Sequence, residues 1–229
     1  NRQYAAIKFF LYTLFGSALM IVAFVALYFN GGNTFDIPTL TSPDSPLRDL
    51  DINTQVLIFG GLFMGFAIKV PMFPFHTWLP DAHTEAPTVG SVILAAILLK
   101  LGTYGFIRIA LPVLPEAAVK WAPWIGLLAV IGIIYGALGC LAQTDMKRLI
   151  AFSSVAHMGF VMLGIATLTD FGINAAIFGM VAHGLITGML FFIAGSVQHT
   201  FHTREMSRLG GLLTQAPKMG WILGFSVMA

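Results

Sequence analysis

The sequence predicts an all-α integral membrane protein: a polytopic bundle of about six complete transmembrane helices and a truncated seventh. Of the 229 residues, 57% are hydrophobic and only 10% are charged, and the mean hydropathy is +0.85. A soluble domain carries about 25% charged residues, so this chain has too little polar surface to face water on all sides. Its apolar residues also fall into runs of about 20, the length that crosses the hydrocarbon core as a helix.

The first predicted span is an uninterrupted apolar run over residues 5–29. The segment Asn30–Asn33 ends it, because asparagine and glycine favour turns. Residues 30–54 then form a polar loop that contains three prolines.

The second predicted span, residues 55–79, contains a break. Pro71 lacks a backbone N–H and its ring clashes with the carbonyl four residues earlier, so the helix should stop around residues 67–70, and Pro74 extends the disruption. Broken backbone in lipid is tolerated only where protein or a water-filled cavity covers it, and transporters place ion sites at such breaks. The freed carbonyls favour a cation, and Lys69 lies there. A proline kink that serves packing alone is the alternative.

The later spans follow from the remaining apolar runs, and prolines stop the third. Their predicted bounds are 88–111, 122–142, 147–168 and 172–198, with a seventh span that begins near Pro217 and is truncated. Because the chain begins at Asn1 and stops inside an apolar run, we expect a single transmembrane domain over residues 1–229 that is an internal fragment of a longer protein.

Lysine and arginine predict the orientation of the bundle. With alternating crossings, the two sides of the membrane receive unequal numbers of these residues, and cytoplasmic loops carry the excess. The amino-terminal end and the loop PDAHTEAP are therefore expected on the cytoplasmic side. The richer side holds Arg2, Lys8, Lys147, Arg148, Arg204, Arg208 and Lys218, and the poorer side holds Arg48, Arg108 and Lys120.

Four ionisable side chains fall well inside predicted spans, away from the ends: Lys69, Lys100, His157 and His183. A charge at the bilayer centre costs about 2.5–3.5 kcal/mol on insertion scales, so such residues need an explanation. Lysine can lose its proton when it is buried, whereas arginine cannot, and histidine titrates near neutral pH. We therefore predict a lateral proton-transfer path through these four residues.

Two further residues are predicted to support this path. Tyr104 follows Lys100 by four residues and Thr187 follows His183 by four, so each pair shares a helix face. Purely structural alternatives stay open. Each histidine could bond only a neighbouring helix, and Lys69 could be a lysine at a helix end. The buried charges could also belong to a membrane scaffold in which they only fix helix packing.

Other chemistries find little support in the sequence. The single cysteine, Cys140, excludes an internal disulfide and a thiolate cluster. No glycine-rich nucleotide motif and no basic run for nucleic acid is present. Asp81, His83 and Glu85 in PDAHTEAP are open to interpretation as a metal site, but no second ligand cluster accompanies them. We favour a capping turn at the membrane surface and expect no metal.

Three segments resemble signatures of one family, the antiporter-like, proton-translocating membrane subunits of respiratory complex I (NADH:quinone oxidoreductase), and within it the M type, equivalent to mitochondrial subunit 4. The segments are KVPMFPFHTWLPDAHTEAPTVGSVILAAILLKLGTYGFIR, QTDMKRLIAFSSVAHMGFV and AHGLITGMLFFIAGSV. The similarity covers nearly the whole chain, in order. Subunits of multi-subunit cation/proton antiporters and membrane-bound hydrogenases share much of the pattern and remain the alternative.

The resemblance implies a fold of about fourteen transmembrane helices in two inverted repeats, each with a broken helix. By motif, Lys69 matches the lysine at the first broken helix and Lys100 the central lysine of the next helix. His157 and His183 match histidines on a central polar axis. The family's glutamate on the preceding helix and its lysine on the second broken helix fall outside residues 1–229.

The resemblance also implies that this chain holds no cofactor and works as the translocase part of an enzyme. NADH, FMN, iron–sulfur clusters and quinone would belong to partner subunits. The expected partners are the other membrane subunits of complex I, including neighbouring antiporter-like subunits, and the lipid bilayer. The bacterial plasma membrane is favoured over an organelle inner membrane.

Overall fold

The computed structural model describes residues 2–228, which form a bundle of long helices. Six of the helices within this range are long and apolar enough to cross a membrane, namely α1, α3, α5, α6, α7 and α8 in the numbering that follows. The predicted all-α polytopic bundle is therefore confirmed. The helices are α1 (Arg2–Asn30), α2 (Ile37–Thr41), α3 (Ile52–Lys69), α4 (Trp78–Glu85), α5 (Thr88–Val113), α6 (Pro115–Leu141), α7 (Met146–Ala166), α8 (Asp170–Phe201), α9 (Leu212–Gln215) and α10 (Pro217–Met228), with 3₁₀ turns at Pro46–Arg48 and Met206–Arg208.

The break in the second span lies where the sequence places it. Helix α3 ends at Lys69, residues 70–77 are not helical, and α4 begins at Trp78. The expectation of a loop at PDAHTEAP is wrong, because most of this segment belongs to α4. Pro80 does not prevent the helix, since it lies in the first turn, where backbone N–H groups have no partner within the helix.

The fourth span also begins earlier than predicted. Helix α6 starts at Pro115 rather than near residue 122. Proline suits the first turn of a helix because its fixed φ is already helical. Pro115, which is predicted to end the third span, is therefore the first residue of the next helix.

An ion-pair cluster ties three helices together at one end of the bundle. The Lys8 ammonium on α1 lies 2.7 Å from the Asp81 carboxylate on α4, and Arg148 on α7 lies 3.9 Å from the same carboxylate. The start of α1, the end of α4 and the start of α7 are thus on one side, as alternating crossings require. We call this side the basic end.

The carboxyl end of α4 is held at the basic end by two further cations. Lys147 donates from Nζ to the Ala86 carbonyl at 3.0 Å, and Arg204 donates to the Thr84 carbonyl at 2.7 Å. Arg204 also pairs with Asp145. Cations are favoured at a helix carboxyl end because its last carbonyls are unpaired and carry partial negative charge. At the opposite end, Arg48 donates to the Pro112 carbonyl at 3.0 Å.

Small residues allow α6 and α7 to approach closely. A Cβ added at Gly136 would lie 2.7 Å from the backbone nitrogen of Ala156, a separation that no real Cβ keeps. Membrane helices favour small residues at such contacts because hydrocarbon provides no hydrophobic force to join them.

We expect Gly136→Ala to destabilise the bundle by about 1–3 kcal/mol, the usual cost of overpacking, since backbone atoms must move. Gly126→Ala is the matched control on the same helix, where an added Cβ would make an ordinary 3.7 Å contact with Ala166. The measurement is the melting temperature of the full-length protein in detergent. Equal melting temperatures for the two variants would contradict the packing described.

Candidate functional site

The break between α3 and α4 satisfies most of its own carbonyl groups. Lys69 is the last residue of α3 and is half-buried, but within residues 2–228 its ammonium makes no hydrogen bond. The pairing of this cation with the freed carbonyls, as the sequence argument expects, is not observed because N–H groups of the chain occupy them. Three carbonyls accept hydrogen bonds, those of Phe66 from the Val70 N–H (2.8 Å), Ala67 from the Met72 N–H (3.0 Å) and Ile68 from the Trp78 indole (3.1 Å).

Lys100 makes the central polar contact of the bundle. Its Nζ lies 2.6 Å from Nδ1 of His183 on α8 and donates to the Ala95 carbonyl of its own helix at 2.5 Å. The residue is about 18 Å from the start of α5, at a rise of about 1.5 Å per residue. The preceding turn, Leu94–Leu98, is π-helical, a geometry that is frequent at functional sites.

His157 extends the contact onto a third helix. Its ring centroid lies 5.9 Å from that of His183, with 51° between the ring planes. Nε2 of His183 is buried and has no hydrogen-bond partner among the described residues. Both rings line a cavity of 720 Å³ between α7, α8 and α10, and Thr187 lines it as well. The space is large enough for water and has polar groups on its wall, but it is open on one side and the His157 side chain is exposed.

Three of the site residues predicted from the sequence therefore lie next to one another, and the others lie apart from them. Lys100, His183 and His157 are adjacent. Lys69 lies beside the helix of Lys100, since a Cβ added at Gly102 would fall 3.1 Å from the Cβ of Lys69. In the break, Pro71 is buried and Pro74 is exposed.

The supporting role of Tyr104 stays a prediction. Tyr104 is 54% exposed, and within residues 2–228 it makes no hydrogen bond to Lys100. The physical reason is that helical side chains tilt towards the amino terminus. The lysine accordingly reaches back to Ala95 and not forward to Tyr104.

His83 is a buried polar residue that the sequence argument placed at the membrane surface. It is 0% exposed, its ring stacks on Phe191 with centroids 4.5 Å apart, and neither ring nitrogen has a hydrogen-bond partner among the described residues. Helix α4 lies outside the six spans, and there burial, with the charges of Lys147 and Lys100, lowers the pKa of His83 to about 3. The four-residue spacing from buried Leu79 is the signal that would have placed His83 inside.

The described residues offer no grouping suited to a metal ion. Within residues 2–228, no three His, Cys, Asp or Glu side chains lie together as ligands. Asp81 pairs with Lys8 at the basic end, whereas His83 faces the protein interior. The acidic and imidazole groups of PDAHTEAP therefore do not converge.

The whole chain matches one protein family. Residues 1–229 fit the model of the transmembrane family described as NADH:quinone oxidoreductase/Mrp antiporter. The chain belongs to this family. Membership confirms the resemblance drawn from the three sequence segments.

Individual relatives agree with this assignment. The chain is 49% identical to NADH-quinone oxidoreductase subunit M of Rhodobacter capsulatus over 237 residues, which is 100% of the chain and 46% of that protein. It superposes on a chain of respiratory complex I from Thermus thermophilus with bound NADH, with a TM-score of 0.89 and 32% identity, over 99% of this chain and 48% of the other. The chain thus spans less than half the length of the curated relatives it matches.

A third relative shows the fold alone. A chain of the Mrp complex from Dietzia sp. DQ12-45-1b superposes with a TM-score of 0.86 at 21% identity, over 98% of this chain and 41% of that one. The likeness therefore concerns the arrangement of the helices and carries no statement about activity.

We expect Trp78→Phe to lower the melting temperature of the full-length protein, because the ring is largely kept but the Ile68 carbonyl loses its indole partner. A buried polar group without a partner costs about 1–3 kcal/mol. Trp124→Phe is the matched control, since Trp124 is 62% exposed on α6. A Trp78 variant as stable as the Trp124 variant would show that the indole does not hold the break.

Proposed function

We propose that this chain carries part of the proton path of a membrane subunit of an NADH-quinone oxidoreductase. The observation that carries the proposal is the 2.6 Å contact between Lys100 and His183, which joins two titratable groups of different helices deep in the bundle. A contact that only holds two helices together does not require two titratable groups. Proton transfer does, because both the donor and the acceptor must be able to bind the proton.

The contact supports a simple transfer step. An ammonium at Lys100 donates to the Nδ1 lone pair of His183, which then carries its own hydrogen on Nε2. Passage of the proton leaves a neutral amine beside an imidazolium, and the Nε2–H can deliver a proton to water in the cavity or towards His157. Thr187 can orient such a water, because its side chain lines the same cavity.

The reaction that we propose is inferred from the similarity to the Rhodobacter capsulatus protein. At 49% identity over the full chain, we infer the same role, in which electron transfer elsewhere in the complex drives proton movement here. NADH, FMN, iron–sulfur clusters and quinone are then bound by partner subunits. The neighbours of this chain are other membrane subunits, including antiporter-like ones, in a bacterial plasma membrane.

A second candidate is a subunit of a multi-subunit cation/proton antiporter. The observation that favours it is the family itself, whose description includes Mrp antiporters, together with the shared fold. Sodium-dependent proton exchange in vesicles, with no effect of NADH, would select this candidate. Proton uptake that requires NADH oxidation would reject it.

We expect Lys69→Ala to suppress proton pumping coupled to NADH oxidation, because the end of α3 loses its switchable charge. Lys69→Arg should not restore pumping, since arginine keeps its proton in proteins. Lys218→Ala, which removes an exposed lysine near the start of α10, is the control. The measurement is the proton-to-electron ratio of the whole complex in vesicles, and a normal ratio in Lys69→Ala would remove this residue from the path.

We expect Lys100→Met to abolish coupled pumping and also to destabilise the subunit by about 1–3 kcal/mol, because His183 and the Ala95 carbonyl lose their partner. Lys100→Arg should assemble better, since it keeps the charge and donors, but should pump no better.

If the chain is only a scaffold, replacing Lys100 and His183 together should have no effect on pumping, the opposite of what the proton path predicts. If the buried charges only fix helix packing, Lys100→Leu combined with His183→Leu would leave assembly and pumping intact, as hydrophobic replacement of a buried polar pair is often tolerated. Loss of pumping in a paired variant that assembles normally supports the path.

A further inference from the structure

A groove on the outside of the bundle lies between α3 and α6, at the end opposite the basic end. Its volume is 500 Å³, and it is lined by Val56 of α3 and by Lys120, Trp121 and Trp124 of α6. Trp121 is held against α3, since its indole donates to the Val56 carbonyl at 3.2 Å and its ring stacks on Phe63 with centroids 4.9 Å apart. The groove is therefore a fixed feature of the contact between the two helices.

The groove lies at the level of the lipid headgroups. Helix α6 has 27 residues and is about 40 Å long at a rise of about 1.5 Å per residue, which exceeds the hydrocarbon core of about 30 Å. Lys120 and Trp124 are about 8 and 14 Å from its first residue. Because helical side chains tilt towards the amino terminus, both side chains lean away from the bilayer centre. They reach the interface, where tryptophan is enriched and lysine extends to the headgroups.

Two charged groups of α6 at this level do not pair with each other. Lys120 is exposed, and within residues 2–228 its ammonium makes no hydrogen bond or ion pair. Glu116 precedes Lys120 by four residues, a spacing that allows an ion pair on one helix face, yet its carboxylate accepts from the Gln55 amide at 3.4 Å instead. A cation and an anion therefore stand one helical turn apart, and the lysine has no counter-ion among the described residues.

Pro123 adds a hydrogen-bond acceptor beside these two charges. It lies inside α6 and has no backbone N–H, so the Val119 carbonyl, four residues earlier, lacks its usual helical partner. Val119 is 63% exposed and directly precedes Lys120. This turn of α6 thus offers a cation, a carboxylate and an exposed carbonyl to a molecule that lies in the groove.

An apolar stripe of α6 continues from Trp124 towards the bilayer centre. Trp124 is 62% exposed, and the stripe continues with Leu127, Ile134 and Leu138, which are 50%, 56% and 61% exposed. These three residues follow Trp124 by three, ten and fourteen positions, spacings that keep one face of a helix. The face therefore has charged groups at the headgroup level and aliphatic side chains below them, the same order as in a phospholipid.

We propose that this groove binds a phospholipid with an ethanolamine headgroup. The lipid phosphate accepts hydrogen bonds from the Lys120 ammonium, and the lipid ammonium donates to the Glu116 carboxylate and the Val119 carbonyl. The acyl chains lie along the apolar stripe. Charge complementarity selects this class, because an anionic headgroup would bring a like charge to Glu116 and a choline headgroup has no N–H to donate. The site requires no part of the proposed proton path.

Lipid binding to the full-length protein in detergent tests the site. We expect phosphatidylethanolamine to raise the melting temperature more than phosphatidylcholine or phosphatidylglycerol with the same acyl chains. Lys120→Met should weaken the binding of phosphatidylethanolamine about fivefold, the usual contribution of one lysine near a phosphate surface. Glu116→Gln should remove the preference over phosphatidylglycerol. Arg108→Met, which removes an exposed cation of α5 near the same end, is the control and should keep the full response.

Either of two results in detergent would overturn the inference. Equal affinity of the unmodified and Lys120→Met proteins for phosphatidylethanolamine would place the headgroup elsewhere, and an equal response to the three lipids would reject the ethanolamine assignment. A high-resolution map of the whole unmodified complex is a test that needs no variant. Acyl chains along Leu127 and Ile134 with a headgroup at Lys120 support the site, whereas a helix of another subunit in the groove excludes it.

Discussion

The structure depends on one contact, between the amine of Lys100 and the imidazole of His183. In hydrocarbon neither group has water to bind, so each is the partner that makes burial of the other tolerable. The contact requires α5 and α8 to lie close together, and Gly184 makes this possible, because an added Cβ there would lie 3.0 Å from the Ala96 carbonyl. A small residue on one helix thus determines whether a long side chain on the other reaches its partner.

The polar groups of the membrane region fall into two classes. Backbone groups at the break are satisfied within the chain: the Met72 N–H bonds the Ala67 carbonyl, and the Trp78 indole donates to the Ile68 carbonyl, which the Met72 N–H would reach in a regular helix. Among residues 2–228, the buried side-chain atoms without a hydrogen-bond partner belong to Arg48, His76, His83 and His183. Because buried polar atoms rarely lack partners, these side chains mark the places that water or a residue outside the described range has to reach. Of these side chains, His183 belongs to the proposed path.

The sequence predicts the spans well because apolar runs of bilayer length are a strong signal. It predicts the break because the ring of Pro71 clashes with the carbonyl four residues earlier and ends the helix. It also predicts that Lys100, His157 and His183 fall within membrane-spanning helices; of the three, His183 is buried, Lys100 is half-buried and His157 is exposed. It does not predict the π-helical turn Leu94–Leu98, which depends on contacts between helices, or the interior position of His83, since a polar segment between two prolines resembles a loop. Spacing alone does not show that the Lys100 side chain turns away from Tyr104, because it ignores the tilt of helical side chains.

The way α4 is held has a mechanical consequence. Its carboxyl end is anchored by Lys147 and Arg204 to the basic end, whereas eight non-helical residues and the hydrogen bond from the Trp78 indole connect it to α3. An interrupted helix transmits no rigid displacement past the interruption. Displacement of α3 along its axis therefore need not displace α4, whose carboxyl end the two cations hold in place.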